Sequence, residues 1–146
     1  MKNILFLCTG NSARSIMAEG YMNHASKGAW RAYSAGSKPT GQPNPFAIET
    51  LGAHAIAMPD PRSKSWNEFA KDSAPIMDVI VTVCDNAADE VCPVWPTNED
   101  AALRTLHWSF PDPAAVDGSD REKRAAFESI FADIRSTIDT FLRTGQ

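Results

Sequence analysis

Four consecutive apolar residues, Ile4-Leu5-Phe6-Leu7, run directly into Cys8-Thr9-Gly10-Asn11-Ser12-Ala13-Arg14-Ser15. That junction constrains the fold more than any other stretch of the chain. An unbroken apolar run of this length reads as a short strand buried on both faces. It stops at a cysteine, and the residues that follow are small, polar and tolerant of unusual backbone angles. Gly10 takes a positive φ at no steric cost, and Asn11 tolerates the left-handed region better than most residues. Ile16-Met17-Ala18-Glu19 then opens a helix. A strand, a tight loop and a helix N-terminus together form an anion site. Successive N–H groups turn inward as a nest, and the helix dipole adds positive potential.

Thr9, Gly10, Asn11, Ser12, Ala13 and Arg14 are therefore the candidate oxyanion-binding residues. The Arg14 guanidinium offers a planar fork that matches a tetrahedral oxyanion in bidentate fashion. Cys8 stands at the rim as candidate nucleophile. A helix N-terminus and a nearby cation lower a cysteine from about 8.5 to roughly 3.5–7.5, so a depressed Cys8 pKa is expected. Ser15 is placed to donate a hydrogen bond to the thiolate. The competing reading is a buried structural cysteine in a turn, but it leaves the offsets of Gly-Asn, Arg and Ser unexplained.

The rest of the chain alternates strands and helices. A first helix is predicted from about Ser15 to Ala25, with Met17, Tyr21 and Met22 facing the core, and a second strand at Trp30–Ser34. Asn44 is expected to cap a short helix with Pro45 at its first position and Gly52 just past its end. Ser65 caps a turn through Trp66-Asn67-Glu68-Phe69. Met77–Val83 is a β-branched strand that ends at Cys84, and a further strand is expected at Leu103–Trp108. Ser119 and Glu122 form a capping box ahead of Phe127, Ile130, Phe131, Ile134, Ile138, Phe141 and Leu142 at helical spacing. At 146 residues, with no repeat or linker, one domain is expected over residues 1–146. The pattern predicts an α/β fold, a parallel sheet with helices on both faces.

A net charge of −4 without a Lys/Arg stripe argues against nucleic-acid binding. The apolar run after Lys2 is too short for a signal-peptide core, and no stretch approaches a membrane span, so the expected location is the cytoplasm. Three cysteines in that compartment point to catalytic or redox thiols rather than a disulfide framework. No CxxC or HxxxH pair supports a zinc site. His24, His54 and His107 show no partner spacing and read as structural.

In a parallel sheet, ligands bind beyond the carboxyl ends of the strands. Cys8 ends one strand and Cys84 another, and the rigid Phe110-Pro111-Asp112-Pro113 loop follows the last. Asp112, if protonated, suits a general acid for a leaving oxygen; alone, it would read as a turn aspartate. Cys84 and Cys92 flank Asp85–Val91. That segment contains good helix formers and is predicted to be helical when both thiols are reduced.

Cys-x5-Arg-Ser after a strand, with a late Asp-Pro, resembles the low-molecular-weight protein tyrosine phosphatase fold. Further cues resemble its arsenate reductase branch: Met17-Ala18-Glu19, Tyr33-Ser34-Ala35-Gly36, Cys84-Asp85-Asn86-Ala87, Cys92-Pro93 and His107-Trp108 before Asp112-Pro113. The similarity covers nearly the whole chain. It implies a three-layer αβα fold with a four-stranded parallel sheet in the order 2-1-3-4, and arsenate as substrate, with phosphate or sulfate as competing oxyanions. It also assigns roles, with Cys8 as nucleophile, Arg14 as oxyanion clamp and Asp112 as acid. Cys84 is implied as the thiol that attacks the Cys8 adduct, and Cys92 as the thiol that takes over Cys84. No tightly bound cofactor is implied. The external reductant is thioredoxin, or glutathione with glutaredoxin, because the spacing between Cys84 and Cys92 is one residue longer than in the thioredoxin-coupled pattern. Some members hold a potassium ion near the loop. Asn11, Glu19 and Ser34 match its ligands, but Lys64 stands near the place of an acidic one, so its ammonium is expected to substitute and no metal is expected. The alternative within the fold is a phosphotyrosine phosphatase, which needs only Cys8, Arg14 and Asp112. A non-enzymatic oxyanion-binding module is a third reading.

Overall fold

The computed structural model describes residues 2–84 and 103–145. Strand β1 (Lys2–Leu7) leads through the oxyanion loop into helix α1 (Arg14–Ala25), then β2 (Trp30–Ala35) and α2 (Pro45–Ala53). A 3-10 turn at Trp66–Phe69 precedes β3 (Val79–Thr82) and β4 (Arg104–His107). A second short turn at Pro113–Ala115 leads to the long α3 (Asp120–Thr144). The four strands are ordered β2-β1-β3-β4. Every pairing is parallel, with Leu7 beside Ala35 on one side and Thr82 on the other, and Thr82 beside His107. This is the predicted four-stranded parallel sheet in the order 2-1-3-4 with helices packed on it.

Alternation along the strands sorts side chains onto two faces. Ile4, Phe6, Val79 and Val81 pack with residues of helices α1, α2 and α3, and Leu5, Leu7 and Ile80 pack against Phe69 and Met77. Helix α3 presents Phe127, Ile130, Phe131, Ile134, Ile138 and Phe141 to the first face, each burial contributing about 1.5–3 kcal/mol. The Tyr21 hydroxyl donates to Asp139 Oδ1 at 2.6 Å, tying α1 to α3. The capping signals hold. Asn44 Oδ1 accepts from Phe46 N, Ser65 Oγ from Asn67 N and Ser119 Oγ from Glu122 N. Several boundaries differ from expectation: β2 runs on to Ala35, β3 is Val79–Thr82 rather than Met77–Val83, and β4 is Arg104–His107 rather than Leu103–Trp108. Helix α1 begins at Arg14, because the loop has already turned helical there. Gly52 lies inside α2, which ends at Ala53 with His54 as its C-cap.

Cys92 and the helix predicted over 85–91 lie outside the described residues. Among the described residues no helix is long and apolar enough to cross a membrane.

Candidate active site

The loop from Cys8 to Ala13 crosses the carboxyl end of the sheet. Asn11, rather than Gly10, adopts the left-handed backbone, with φ of 45°. Its side chain explains how. Fully buried, it donates from Nδ2 to Ser15 Oγ at 2.9 Å and accepts at Oδ1 from the Lys64 amide at 2.8 Å. Because Ser15 Oγ accepts from Asn11, its own hydroxyl proton remains available for a neighbour such as a thiolate. Helix α1 starts from Ala13 with no side-chain cap on its first turn. Its leading N–H groups are thus left for an anion, in line with the reading of residues 9–14.

Arg14 is anchored at one end and open at the other. Nη1 donates to the Phe110 carbonyl at 2.9 Å and Nη2 lies 3.9 Å from Asp112 Oδ2. Its Nε is buried and has no hydrogen-bond partner. A buried guanidinium N–H without an acceptor carries a desolvation cost that a bound oxyanion would relieve. Asp112 accepts from Ala114 N through Oδ1, which fixes its carboxylate beside Arg14 at the mouth of the site. A cleft of about 570 Å³, lined by Ser12, Thr40, Gln42 and Asn44 among others, opens beside the loop. Another cavity, about 330 Å³ and lined by Tyr21, His24, His54 and Asp139 among others, lies among the helices and contains no candidate residue.

Cys8 and Cys84 are both buried, at 5% and 3% exposure. Cys84 Sγ accepts from the Thr9 amide at 3.4 Å, next to Cys8 in the chain, and lies near enough to raise the Cys8 pKa. Cys8 and Cys84 lie together at this sheet edge, and Arg14, whose charge acts on Cys8, stands 3.9 Å from Asp112, so the three strand ends expected to meet here do so. The expected depression of the Cys8 pKa is absent. The adjoining Cys84 thiol and burial push Cys8 up, outweighing the Arg14 charge and the Gly10 amide, which pull it down. Two neighbouring thiols in a buried site do not both ionise readily.

Behind the loop, Lys64 Nζ stands 3.7 Å from Glu19 Oε1, which also accepts from Ser34 Oγ at 2.9 Å. Burial raises the Glu19 pKa and lowers that of Lys64, while each charge opposes the shift of the other. These residues do not fit a potassium ion. An ammonium already faces Glu19, and the Asn11 oxygen is taken by the Lys64 amide. Among the described residues no cluster of three His, Cys, Asp or Glu side chains could hold a metal.

The sequence named Gly36 only within the Tyr33-Ser34-Ala35-Gly36 cue, with no part in the loop, and Ser63 not at all. A Cβ on Gly36 would lie 2.4 Å from the Thr9 carbonyl oxygen and 2.6 Å from that of Cys8. Ser63 Oγ donates to the Gly10 carbonyl at 3.2 Å. Neither contact was legible, since the partners are backbone atoms of a distant segment.

A Cys-x5-Arg loop on a 2-1-3-4 parallel sheet defines a phosphatase-like oxyanion enzyme. The chain belongs to the low molecular weight phosphotyrosine protein phosphatase family, whose model matches residues 3–145, and within it stands with the arsenate reductases. It is 39% identical over 145 residues to the arsenate reductase of Halalkalibacterium halodurans, spanning 99% of this chain and 98% of that protein. The structure of an arsenate reductase from Archaeoglobus fulgidus superimposes with a TM-score of 0.72 at 26% identity, over 96% and 98% of the two chains. A low molecular weight protein tyrosine phosphatase from T. tengcongensis matches with a TM-score of 0.74 at 25% identity, over 98% of each.

Proposed function

We propose that the protein reduces arsenate to arsenite through a thiol relay that begins at Cys8. Arsenate binds in the 9–14 loop, held by the N–H groups at the start of α1 and by Arg14. The Cys8 thiol gives its proton to the Asp112 carboxylate as its sulfur attacks arsenic, and Asp112 passes that proton to the departing hydroxide, which leaves as water from a covalent Cys8–arsenic adduct. The Cys84 thiolate then attacks the Cys8 sulfur. The sulfur–arsenic bond breaks, its electron pair stays on arsenic, and arsenite leaves behind a Cys8–Cys84 disulfide. Cys92 takes over Cys84 by thiol exchange and regenerates the Cys8 thiol. An external dithiol, thioredoxin or glutathione with glutaredoxin, supplies the two electrons that reduce Cys84–Cys92.

The observation that carries this reading is a second buried thiol at the Cys8 loop, Cys84, whose Sγ accepts from the amide of Thr9. A phosphate-ester hydrolase needs water at that step and has no use for a second thiol there.

The test supplies arsenate with either reductant system and measures arsenite, alongside p-nitrophenyl phosphate turnover. Arsenite is expected from the wild type and none from Cys8→Ser. Phosphate-ester turnover that survives loss of both Cys84 and Cys92, with no arsenite formed, would assign the protein to the phosphatases instead.

A further inference from the structure

An oxyanion loop works only while its N–H groups point in and its carbonyls point out. Here the outward carbonyls are held by residues outside the loop. The Thr9 carbonyl accepts from Lys38 N at 3.0 Å, and the Ser12 carbonyl from Asn44 N at 2.8 Å. The Gly10 carbonyl accepts twice, from Thr40 N at 3.0 Å and from Ser63 Oγ at 3.2 Å. The Ser63 hydroxyl in turn accepts from Gly41 N at 3.2 Å, which leaves its own proton to be directed at Gly10. The same short segment holds the other end of the brace. Gly36 N donates to the Lys64 carbonyl and Trp66 N to the Gly36 carbonyl, both at 2.9 Å. Gly36 thus sits flat against Cys8 and Thr9 in a place where a Cβ has no room.

We propose that Ser63 and Gly36 are positioning residues for the oxyanion loop, keeping the carbonyls of Cys8, Thr9 and Gly10 turned away from the bound anion. Most of this brace is backbone and cannot be removed by substitution; the Ser63 hydroxyl can. Without it the Gly10 peptide loses one of its two outer restraints, and rotation of that peptide would turn an N–H away from the anion and a carbonyl toward it. The inference rests on the reading of residues 9–14 as an oxyanion site.

The experiment is calorimetric titration of inorganic phosphate into reduced wild type, Ser63→Ala, Ser63→Thr and Gly36→Ala, with arsenate kinetics on the same proteins. Ser63→Ala should weaken phosphate binding about fivefold, the worth of one ordinary hydrogen bond. The KM for arsenate should rise by the same factor, with kcat at saturation little changed. Ser63→Thr, which keeps the hydroxyl, should restore binding to within about twofold. Gly36→Ala should lose more than Ser63→Ala, because the Cys8–Thr9 segment must move. Should Ser63→Ala not fold, Ser63→Cys, nearly isosteric and a poor donor, takes its place in the phosphate titration with the same expectation. Phosphate binding equal to wild type in the hydroxyl-deleted protein, whatever its melting temperature, would overturn the proposal. A wild type that binds neither phosphate nor arsenate would overturn the oxyanion reading itself, and the two failures are distinct.

Discussion

Replacing Asn11 by alanine removes three contributions that can be counted. The buried Lys64 amide loses its acceptor, and Ser15 Oγ loses its donor. Each orphaned group costs about 1–3 kcal/mol. An alanine held at φ of 45° adds the left-handed penalty of roughly 1–2 kcal/mol. Together these come to roughly 5 kcal/mol, against the 5–15 kcal/mol typical of a whole domain, so Asn11→Ala should be folded only marginally. Asn11→Gly separates the parts. It accepts the backbone angle but still loses both hydrogen bonds, and should recover roughly 1 kcal/mol relative to alanine. Asn11→Asp keeps the acceptor for Lys64 but puts a carboxylate at a fully buried position, so it should be no milder than Asn11→Gly at neutral pH and should recover as the pH falls and the carboxyl is protonated. Urea unfolding with a shared m-value measures all of them. An alanine variant within about 1 kcal/mol of wild type would refute the reasoning that Asn11 holds the loop in place.

Asp112→Asn should slow formation of the Cys8–arsenic adduct by about 10²–10⁴-fold in single-turnover kinetics; a defect confined to recycling would make Asp112 a loop anchor only. Cys8 alkylation in the anion-free protein should be slower at neutral pH than that of an ordinary thiol and rise in the alkaline range, because its pKa is raised. Cys84→Ala removes the largest cause of that rise and should move the midpoint downward, whereas an unchanged midpoint would contradict that cause. Lys64→Gln leaves Glu19 buried without its counter-charge, at a cost of about 3–5 kcal/mol near neutrality. Burial already raises Glu19 above 4.5 in the folded state, and losing Lys64 raises it further. A raised carboxyl favours folding below its unfolded value and loses that advantage as pH climbs through the folded one. The stability gap between Lys64→Gln and wild type should therefore widen from acid to neutral pH, and a constant gap would show that Glu19 is not the group involved.

The parts of the site legible in the sequence were those written in one short stretch or at a strand end. Cys8, Arg14 and Ser15 lie within a single strand–loop–helix. Cys84 and Asp112 follow strands whose β-branched or rigid neighbours mark their ends, so the sheet edge collects them. Lys64 was legible only through a resemblance, yet it sits against Glu19 as expected. Two kinds of fact were not legible. The Cys8 pKa depends on which thiol lies near which, and local reasoning about a helix N-terminus omitted the neighbouring Cys84 that reverses the shift. The brace depends on carbonyls of residues 9–12 meeting amides of residues 38–44, and backbone pairing between loops leaves no mark in side-chain chemistry. The exchange of Gly10 for Asn11 as the left-handed residue has a similar origin. Glycine permits the angle, but the asparagine side chain is bonded into it from both sides.

The most direct test of the thiol relay is disulfide mapping by mass spectrometry after one turnover. Cys92→Ser protein, fully reduced, is mixed with one equivalent of arsenate, quenched in acid, alkylated and digested. The predicted result is one equivalent of arsenite and a single new bond between Cys8 and Cys84, since no third thiol is left to carry the reaction further. Arsenite formed with Cys84 still alkylated as a thiol, or sustained turnover by this variant at the wild-type rate, would contradict it.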